Sequence, residues 1–477
     1  MSSFVIEDCL DYCKKAWSEG GQAVEGLKSL IRVPNLSPAY DTAFLTNGLI
    51  NKAIDVTKAW IESQNLKGLT TTVYNDPGRE PLLKVDIPSF KDGNKHVLCY
   101  GHLDKMPHLD AAGWSEGLSA TNPVIRGPKI YGRGTNDDGY NSFLIITALR
   151  YLQEHDLPHP KITILLETGE ESGDEEITKY LHDLRPIIGE VDLVCILDAE
   201  SQDYETVWCC TSLRGVVTGV LSVKHLSVPC HSGMATGIVP DTFRIARHLV
   251  SRIEDSSTGE ILLKEAHVNI PQNRIDQCHA IANHLGKECV AIVSPLPGAQ
   301  YMSSDLGDCL VGKGWRPGLA ITGQRGIPEI ENGSNVIRTE TALKLSLRIP
   351  PGVDANTVQN AMKKTLEENP PYGATVEYIG LGSGNGWYGK DFEKNLDQAL
   401  KNGCKGAYGK EPMYYAEGGS IPLCNTFQEL WSDAEILVSG CAGPDARPHG
   451  YDESLDLPYT IKFNAFVASL FNDYAKA

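Results

Sequence analysis

The sequence predicts an α/β protein, a mixed sheet flanked by helices with a smaller α+β domain inserted into it. Three observations predict this. At 477 residues the chain exceeds what a single hydrophobic core ordinarily spans, so two domains are expected. Up to about position 210, helical and strand-like patterns alternate, which is the rhythm of an open sheet covered by helices. Further on, two strand–helix units recur, as suits a small domain with helices on one sheet face.

The elements follow in order. Apolar spacing near 3.6 predicts helices over Leu10–Ile31 and Leu49–Ser63. Short continuous apolar runs at His96–Tyr100, Ile162–Glu167 and Val191–Leu197 suit central strands buried on both faces. Between them Phe143–His155 has helical spacing, stopped by Pro158 and Pro160. Val216–Lys224 (strand) and Thr242–Ile253 (helix) open the inserted domain. Ala342–Ile349, Asn356–Glu368 and Thr375–Ile379 repeat the order as strand, helix and strand. The glycine-rich stretch Gly380–Gly389 is expected to link back, and helical signal at Asn395–Asn402 and Ile461–Tyr474 completes the first domain. The expected division is 1–211 with 382–477 as catalytic domain and 212–381 as inserted domain.

Composition narrows the function. Forty-three basic against 61 acidic residues leave a net charge of −18, which argues against nucleic-acid or anionic-membrane partners. No segment reaches the ~20 apolar residues that span a bilayer. The opening MSSFVIEDCLDYCKKAW has no basic stretch followed by an apolar run, so a cytoplasmic location is expected. The 13 cysteines are odd in number and none are spaced C-x-x-C. They read as buried thiols, not as a disulfide frame or a thiolate zinc site.

Ligands of α/β sheets gather at the carboxyl ends of strands. Four strand-like runs end in metal-binding residue types: Val97–Tyr100 before His102 and Asp104, Lys129–Tyr131 before Asp137 and Asp138, Ile164–Leu166 before Glu167, Glu170 and Glu171, and Val194–Leu197 before Asp198. Polar residues cap strands everywhere, so one such ending means little, but four in order point to a metal centre. Imidazole with carboxylate and no thiolate suits zinc, manganese or cobalt. A bridging carboxylate can hold two cations ~3.5–4 Å apart, as two-metal hydrolases do. Asp104 is placed to accept the other ring N–H of His102 and fix its tautomer. Neighbouring side chains diverge in extended backbone, so of Glu170 and Glu171 one is expected on a metal and the other facing the water as general base. Glu175 and Glu176 read as an ordinary acidic helix start. No phosphate-binding glycine loop, H-E-x-x-H helix or serine-nucleophile elbow is present.

GHLDKMP (101–107), YGRGTNDD (131–138), ETGEESG (167–173), Asp198, CHSG (230–233), EGGSIP (417–422) and PHGYDE (448–453) follow one another along the chain. Together they resemble the two-metal exopeptidase family that includes carnosine and cytosolic non-specific dipeptidases, glutamate carboxypeptidases, aminoacylases and succinyl-diaminopimelate desuccinylase. The resemblance runs from about residue 20 to the last helix. EGGSIP, with Leu213-Arg214-Gly215 ahead of the inserted-domain histidine, is most similar to the dipeptidase branch.

The resemblance implies two divalent ions, zinc foremost with manganese or cobalt as alternatives. His102, Asp137 and Asp198 would hold one ion, and Asp137, Glu171 and His449 the other. Glu170 would be the general base and Asp104 the partner of His102. His231 matches a histidine that reaches into the partner's site in dimeric members and polarises the scissile carbonyl, so the inserted domain is expected to act as lid and dimerisation domain. Asn335, Arg348, Gly419 and Ser420 match substrate-binding positions. Gly419 and Ser420 would line the pocket from the large domain, and Arg348 could clamp a terminal carboxylate.

Where many members have Lys-Gly after the paired aspartates, this chain has Gly139-Tyr140. Glu167-Thr168, Ala199-Glu200 and Asp452-Glu453 also depart from the commonest pattern. These flanks bear on substrate preference and spare every expected ligand.

The expected reaction is hydrolysis of a dipeptide or short peptide with a free C-terminal carboxylate, by a metal-bridged water activated by Glu170, in a homodimer. Deacylation of N-acyl amino acids or of succinyl-diaminopimelate is the alternative within the same chemistry. A non-catalytic scaffold would be expected to lack ligands or base, and a phosphoesterase would need a basic phosphate clamp that is not evident.

Overall fold

A computed structural model describes residues 3–91, 93–173, 175–419 and 423–476, in two compact units. The first comprises 1–210, 390–414 and 426–477, and the second 211–389 and 415–425.

The first unit is built on a mixed sheet. Its strands run in the order Thr70–Tyr74, Leu82–Ile87, Lys161–Glu167, His96–His102, Leu193–Ile196, Glu435–Val438 and Trp208–Leu213, the last leading into the second unit. The four from Lys161–Glu167 to Glu435–Val438 are mutually parallel, and the flanking pairs are antiparallel. Parallel strands bury both faces, which is why these runs are almost wholly apolar until their last residues. Parallelism also brings their carboxyl ends to one edge, where the polar residues that follow each run accumulate.

Helices Ile6–Trp17, Tyr140–Glu154, Lys394–Tyr408 and Leu457–Tyr474 share the main apolar core. The last of them is buried along most of its length. Its Asn464 is satisfied inside that core, donating to the Leu144 carbonyl at 2.9 Å and accepting from the Trp17 indole at 2.8 Å. A small sheet, Ser454–Asp456 with Lys129–Tyr131 and Val124–Arg126, joins the chain's late segment to the loop that follows Tyr131.

In the second unit an antiparallel sheet runs Gly318–Arg325, Glu340–Ile349, Gly215–Lys224, Thr375–Gly384. Leu343, Leu345, Leu347 and Ile349 alternate into a core shared with helices Thr242–Val250 and Ala355–Glu367. Arg348 and Ser346 therefore lie on the opposite face. A short ribbon pairs Cys230–His231 with Val336–Ile337.

The expected strands and helices of the first domain are present, with two differences. The helix expected over Leu10–Ile31 is broken into Ile6–Trp17 and Gln22–Ile31. Gly20 has φ 75°, and a Cβ on Gly21 would sit 2.3 Å from the Lys15 carbonyl oxygen, so the two glycines make a close turn that apolar spacing does not register. The stretch expected as a linker, Gly380–Gly389, instead prolongs the edge strand to Gly384, with a register shift between Gly380 and Gly382.

Residues 415–425 group with the second unit, whereas the sequence assigns them to the first. Thr211 donates to the Tyr415 carbonyl at 3.0 Å, Arg214 N to the Glu417 carbonyl at 3.2 Å, and Lys313 pairs with Glu417 at 3.1 Å. Gly419 thus belongs to the second unit, and Ser420 lies outside the described residues. All 13 cysteines are free thiols, and most are buried. Among the described residues no helix is long and apolar enough to cross a membrane.

Candidate active site

The carboxyl edge of the parallel strands gathers the chemistry. His102 ends its strand fully buried. Its Nδ1 lies 3.3 Å from Asp104 Oδ1 and 3.3 Å from the Asp104 carbonyl. Its Nε2 faces acidic oxygens: Asp137 Oδ1 at 3.0 Å, Asp198 Oδ2 at 3.5 Å and Glu170 Oε2 at 4.0 Å. The other Asp137 oxygen meets His449 Nε2 at 2.8 Å, and Glu171 Oε2 lies 3.1 Å from the same nitrogen. One carboxylate therefore sits between two imidazoles, with one oxygen for each.

Asp104 does more than align His102. Its two oxygens accept the backbone N–H groups of Glu170 (3.3 Å) and Glu171 (3.1 Å), holding the turn that presents both glutamates. That turn is a 3₁₀ segment, Glu170–Ser172, not the extended backbone on which the sequence argument separated the two side chains. The separation still follows, because consecutive residues of a 3.0-per-turn helix point about 120° apart. Glu171 meets His449 and Glu170 faces His102.

His449 adopts a left-handed φ of 60° and is half exposed. It is held through its backbone. Arg133 Nη2 donates to the His449 carbonyl at 3.1 Å and to the Gly450 carbonyl at 2.9 Å, and its Nη1 pairs with Glu453 at 2.6 Å. Glu453 Oε1 in turn accepts N–H groups from Gly134 (3.0 Å), Asn136 (3.2 Å) and Asp137 (3.3 Å). This buried ion pair thus fixes both the His449 loop and the Asp137 loop. Its planar fork and two-oxygen acceptor satisfy several backbone groups at once.

Crowding of acidic groups sets the electrostatics. Burial pushes Glu171 and Asp198 above the usual carboxylate range, and neighbouring Asp137 adds to both shifts. Glu170 is pushed up to about 9, first by burial and then by the charges of Asp198, Asp104 and Glu171. Asp137 goes the other way: burial would raise it, but hydrogen bonds from His102 and His449 hold it well below the usual range.

The donor set fits divalent cations. Two ligands each about 2.1 Å from a tetrahedral ion lie about 3.4 Å apart. The His102–Asp137, His102–Asp198, His449–Asp137 and His449–Glu171 separations run from 2.8 to 3.5 Å, so a small movement apart of the closer pairs would bring all four to that spacing. Ligand atoms of His102, Asp137 and Glu171 also lie within 4.8 Å of one another. Cations there would relieve the mutual repulsion of the carboxylates.

In the second unit, His231 is exposed at the head of the turn Ser232–Ala235. Its Nδ1 accepts the Gly233 N–H at 3.1 Å, which leaves Nε2 as the outward nitrogen. The Asn335 carbonyl accepts the Ser232 N–H at 2.9 Å, so Asn335 and His231 share one ribbon. Arg348 stands opposite Val216 and Gly318 on neighbouring strands, on the sheet face away from the core. The structure thus gathers His102, Asp104, Asp137, Glu170, Glu171, Asp198 and His449 in the first unit, and it places His231, Asn335, Arg348 and Gly419 in the second. Sequence reasoning missed Arg133 and Glu453 as functional residues. Both lie inside the quoted YGRGTNDD and PHGYDE motifs, so the signal was present.

Two imidazoles and an excess of carboxylates, without thiolate, at the carboxyl edge of an α/β sheet are the centre of a metal-dependent hydrolase. The profile of peptidase family M20/M25/M40 matches residues 98–472. The chain belongs to that family. It is 28% identical over 379 residues to the cysteinylglycine-S-conjugate dipeptidase of Corynebacterium striatum, covering 79% of this chain and 80% of that one. It is 25% identical over 411 residues to the human beta-Ala-His dipeptidase, covering 83% and 78%. Among solved structures, human carnosine dipeptidase 1 superposes with a TM-score of 0.74 at 18% identity over the whole of both chains.

Proposed function

We propose that the chain hydrolyses the amide bond of dipeptides or short peptides with a free C-terminal carboxylate. The observation that carries this reading is Asp137, whose two oxygens each meet a different histidine. His102, Asp137 and Asp198 would hold one divalent ion, and Asp137, Glu171 and His449 a second, with zinc foremost and manganese or cobalt as alternatives. Such ions would supply Lewis-acid chemistry there, lowering the pKa of a water and polarising the scissile carbonyl.

The chain's own groups do the rest. Glu170, at 4.0 Å the farthest of the oxygens around His102 Nε2, takes the proton of the attacking water and passes it to the departing amine. Asp104 holds the Nδ1–H of His102, so the Nε2 lone pair is left free to take an ion beside Asp137 and Asp198. His231 donates from Nε2 to the developing oxyanion, reaching the site from the partner subunit of a homodimer. Arg348 pairs with the substrate carboxylate, and Asn335 and Gly419 line the same pocket. A cytoplasmic homodimer is the expected form.

Relatives named for cysteinylglycine conjugates and for beta-Ala-His define the test. Purified protein is assayed against those dipeptides, against others varied at each residue, and against N-acetyl and N-succinyl amino acids, with and without chelator. Chelator-sensitive turnover of dipeptides with free carboxylates is expected, with loss on C-terminal amidation. Turnover confined to acylated amino acids would overturn the substrate class.

A further inference from the structure

The helix Tyr140–Glu154 begins one residue beyond the Asp137-Asp138 pair, after Gly139, and its first residue has a fully buried phenol. The Tyr140 hydroxyl donates to the carbonyl of Leu197, the residue directly before Asp198, and accepts the Cys441 N–H at 3.0 Å. From the other side of Asp137, Asn136 Nδ2 donates to the Cys441 carbonyl at 3.0 Å. Gly440, next to Cys441, forms a β-bridge with Asp198. Asn136 and Tyr140, which lie on either side of the paired aspartates with Gly139 between Asp138 and Tyr140, thus grip the segment that pairs with Asp198, and Tyr140 also grips the strand end that carries it.

We propose that Tyr140 is a positioning residue whose buried hydroxyl sets the spacing of Asp137 and Asp198, and so the affinity and ligand geometry of the ion that His102, Asp137 and Asp198 would share. One hydroxyl can do this because it donates and accepts at once, and a hydrogen bond in a dry interior is directional and costly to leave unmade. Asp137 and Asp198 lie 3.0 and 3.5 Å from the same His102 nitrogen, and neither backbone segment can drift without stretching a Tyr140 bond. The inference rests on the metal centre proposed above.

The test titrates metal-free protein with cobalt, followed by calorimetry and by visible absorption, in wild type, Tyr140→Phe and Tyr151→Phe. Tyr151 lies on the same helix and its hydroxyl donates to the Val5 carbonyl at 3.2 Å, away from the site, so its variant measures the generic loss of a buried phenol. In Tyr140→Phe one of two cobalt ions is expected to bind about tenfold or more weakly with an altered absorption band, while the other ion and the Tyr151→Phe protein match wild type. Unchanged affinity and spectrum in Tyr140→Phe, or an equal loss in Tyr151→Phe, overturns the inference. Should Tyr140→Phe fail to fold, Asn136→Ala loosens the same grip from the other side: the same single-ion loss supports the proposal, and wild-type affinity overturns it. Wild-type protein that binds no cobalt would refute the metal centre itself, a separate outcome.

Discussion

Glu170 and Glu171 are neighbours in sequence and chemically equal, yet their surroundings divide them. Glu171 is engaged by His449 at 3.1 Å, and Glu170 keeps a longer 4.0 Å approach to His102. Exchanging Glu170 for Gln keeps the shape and removes the proposed proton acceptor. Glu170→Gln should lower kcat by roughly 10²- to 10⁴-fold while bound metal, measured by elemental analysis, stays at the wild-type level. Wild-type turnover in that variant would remove the base assignment. Residues of this kind were legible because carboxylates and imidazoles at strand ends stand out against an apolar background. Arg133, Glu453 and Tyr140 were not. Their work is done on backbone groups far along the chain, such as the carbonyl of His449 for Arg133 and that of Leu197 for Tyr140. The motifs that contain Arg133 and Glu453 flag those positions, but no local pattern states a role that is exerted on peptide groups 57 to 319 positions away.

At the level of elements, parallel pairing does most to build the site, because it delivers His102, Glu167 and the start of the Asp198 segment to one edge. The run lengths and apolar character of those strands were readable, and so were most helices that cover them. The break at Gly20-Gly21 and the conversion of Gly380–Gly384 into edge strand were not, since the first rests on a close local approach to the Lys15 and Ala16 backbone and the second on pairing with a distant strand. The strand Glu435–Val438 carries a titrating group at its start. Burial, with the charge of Glu393, pushes Glu435 up to about 7, while Lys95 and the Glu393 N–H oppose the shift and Tyr474 lies alongside. The native state therefore binds this proton more tightly than the unfolded chain. The stabilisation is present below the ordinary carboxylate pKa and is lost as pH rises through about 7. Glu435→Gln should raise Tm at pH 8 by on the order of 2 °C and leave it near wild type at pH 5. Thermal melts at the two pH values check this, and a gain confined to pH 5 would contradict it.

Across the whole molecule, the proposed ligands span positions 102 to 449 and are held by segments of the first unit that meet only on folding. Cations that bind the native arrangement and not the unfolded chain stabilise it by mass action, roughly 2.7 kcal/mol at a hundredfold excess over Kd. Chelation should therefore lower the first unit's unfolding temperature by several degrees, and added zinc should restore it. A melt indifferent to chelator would mean that the carboxylates tolerate one another without a counter-ion. The acidic excess of the sequence argued against nucleic-acid and anionic-membrane partners, but composition alone could not say that Asp137 would be the carboxylate placed between two histidines.

Counting tightly bound ions per chain is the most direct check on that arrangement. Elemental analysis after desalting should find about two in wild type, about one in His449→Ala and fewer than one in Asp137→Ala, because Asp137 would serve both ions. A wild-type content of one or none, or an Asp137→Ala protein that keeps both ions, would contradict a centre bridged by Asp137.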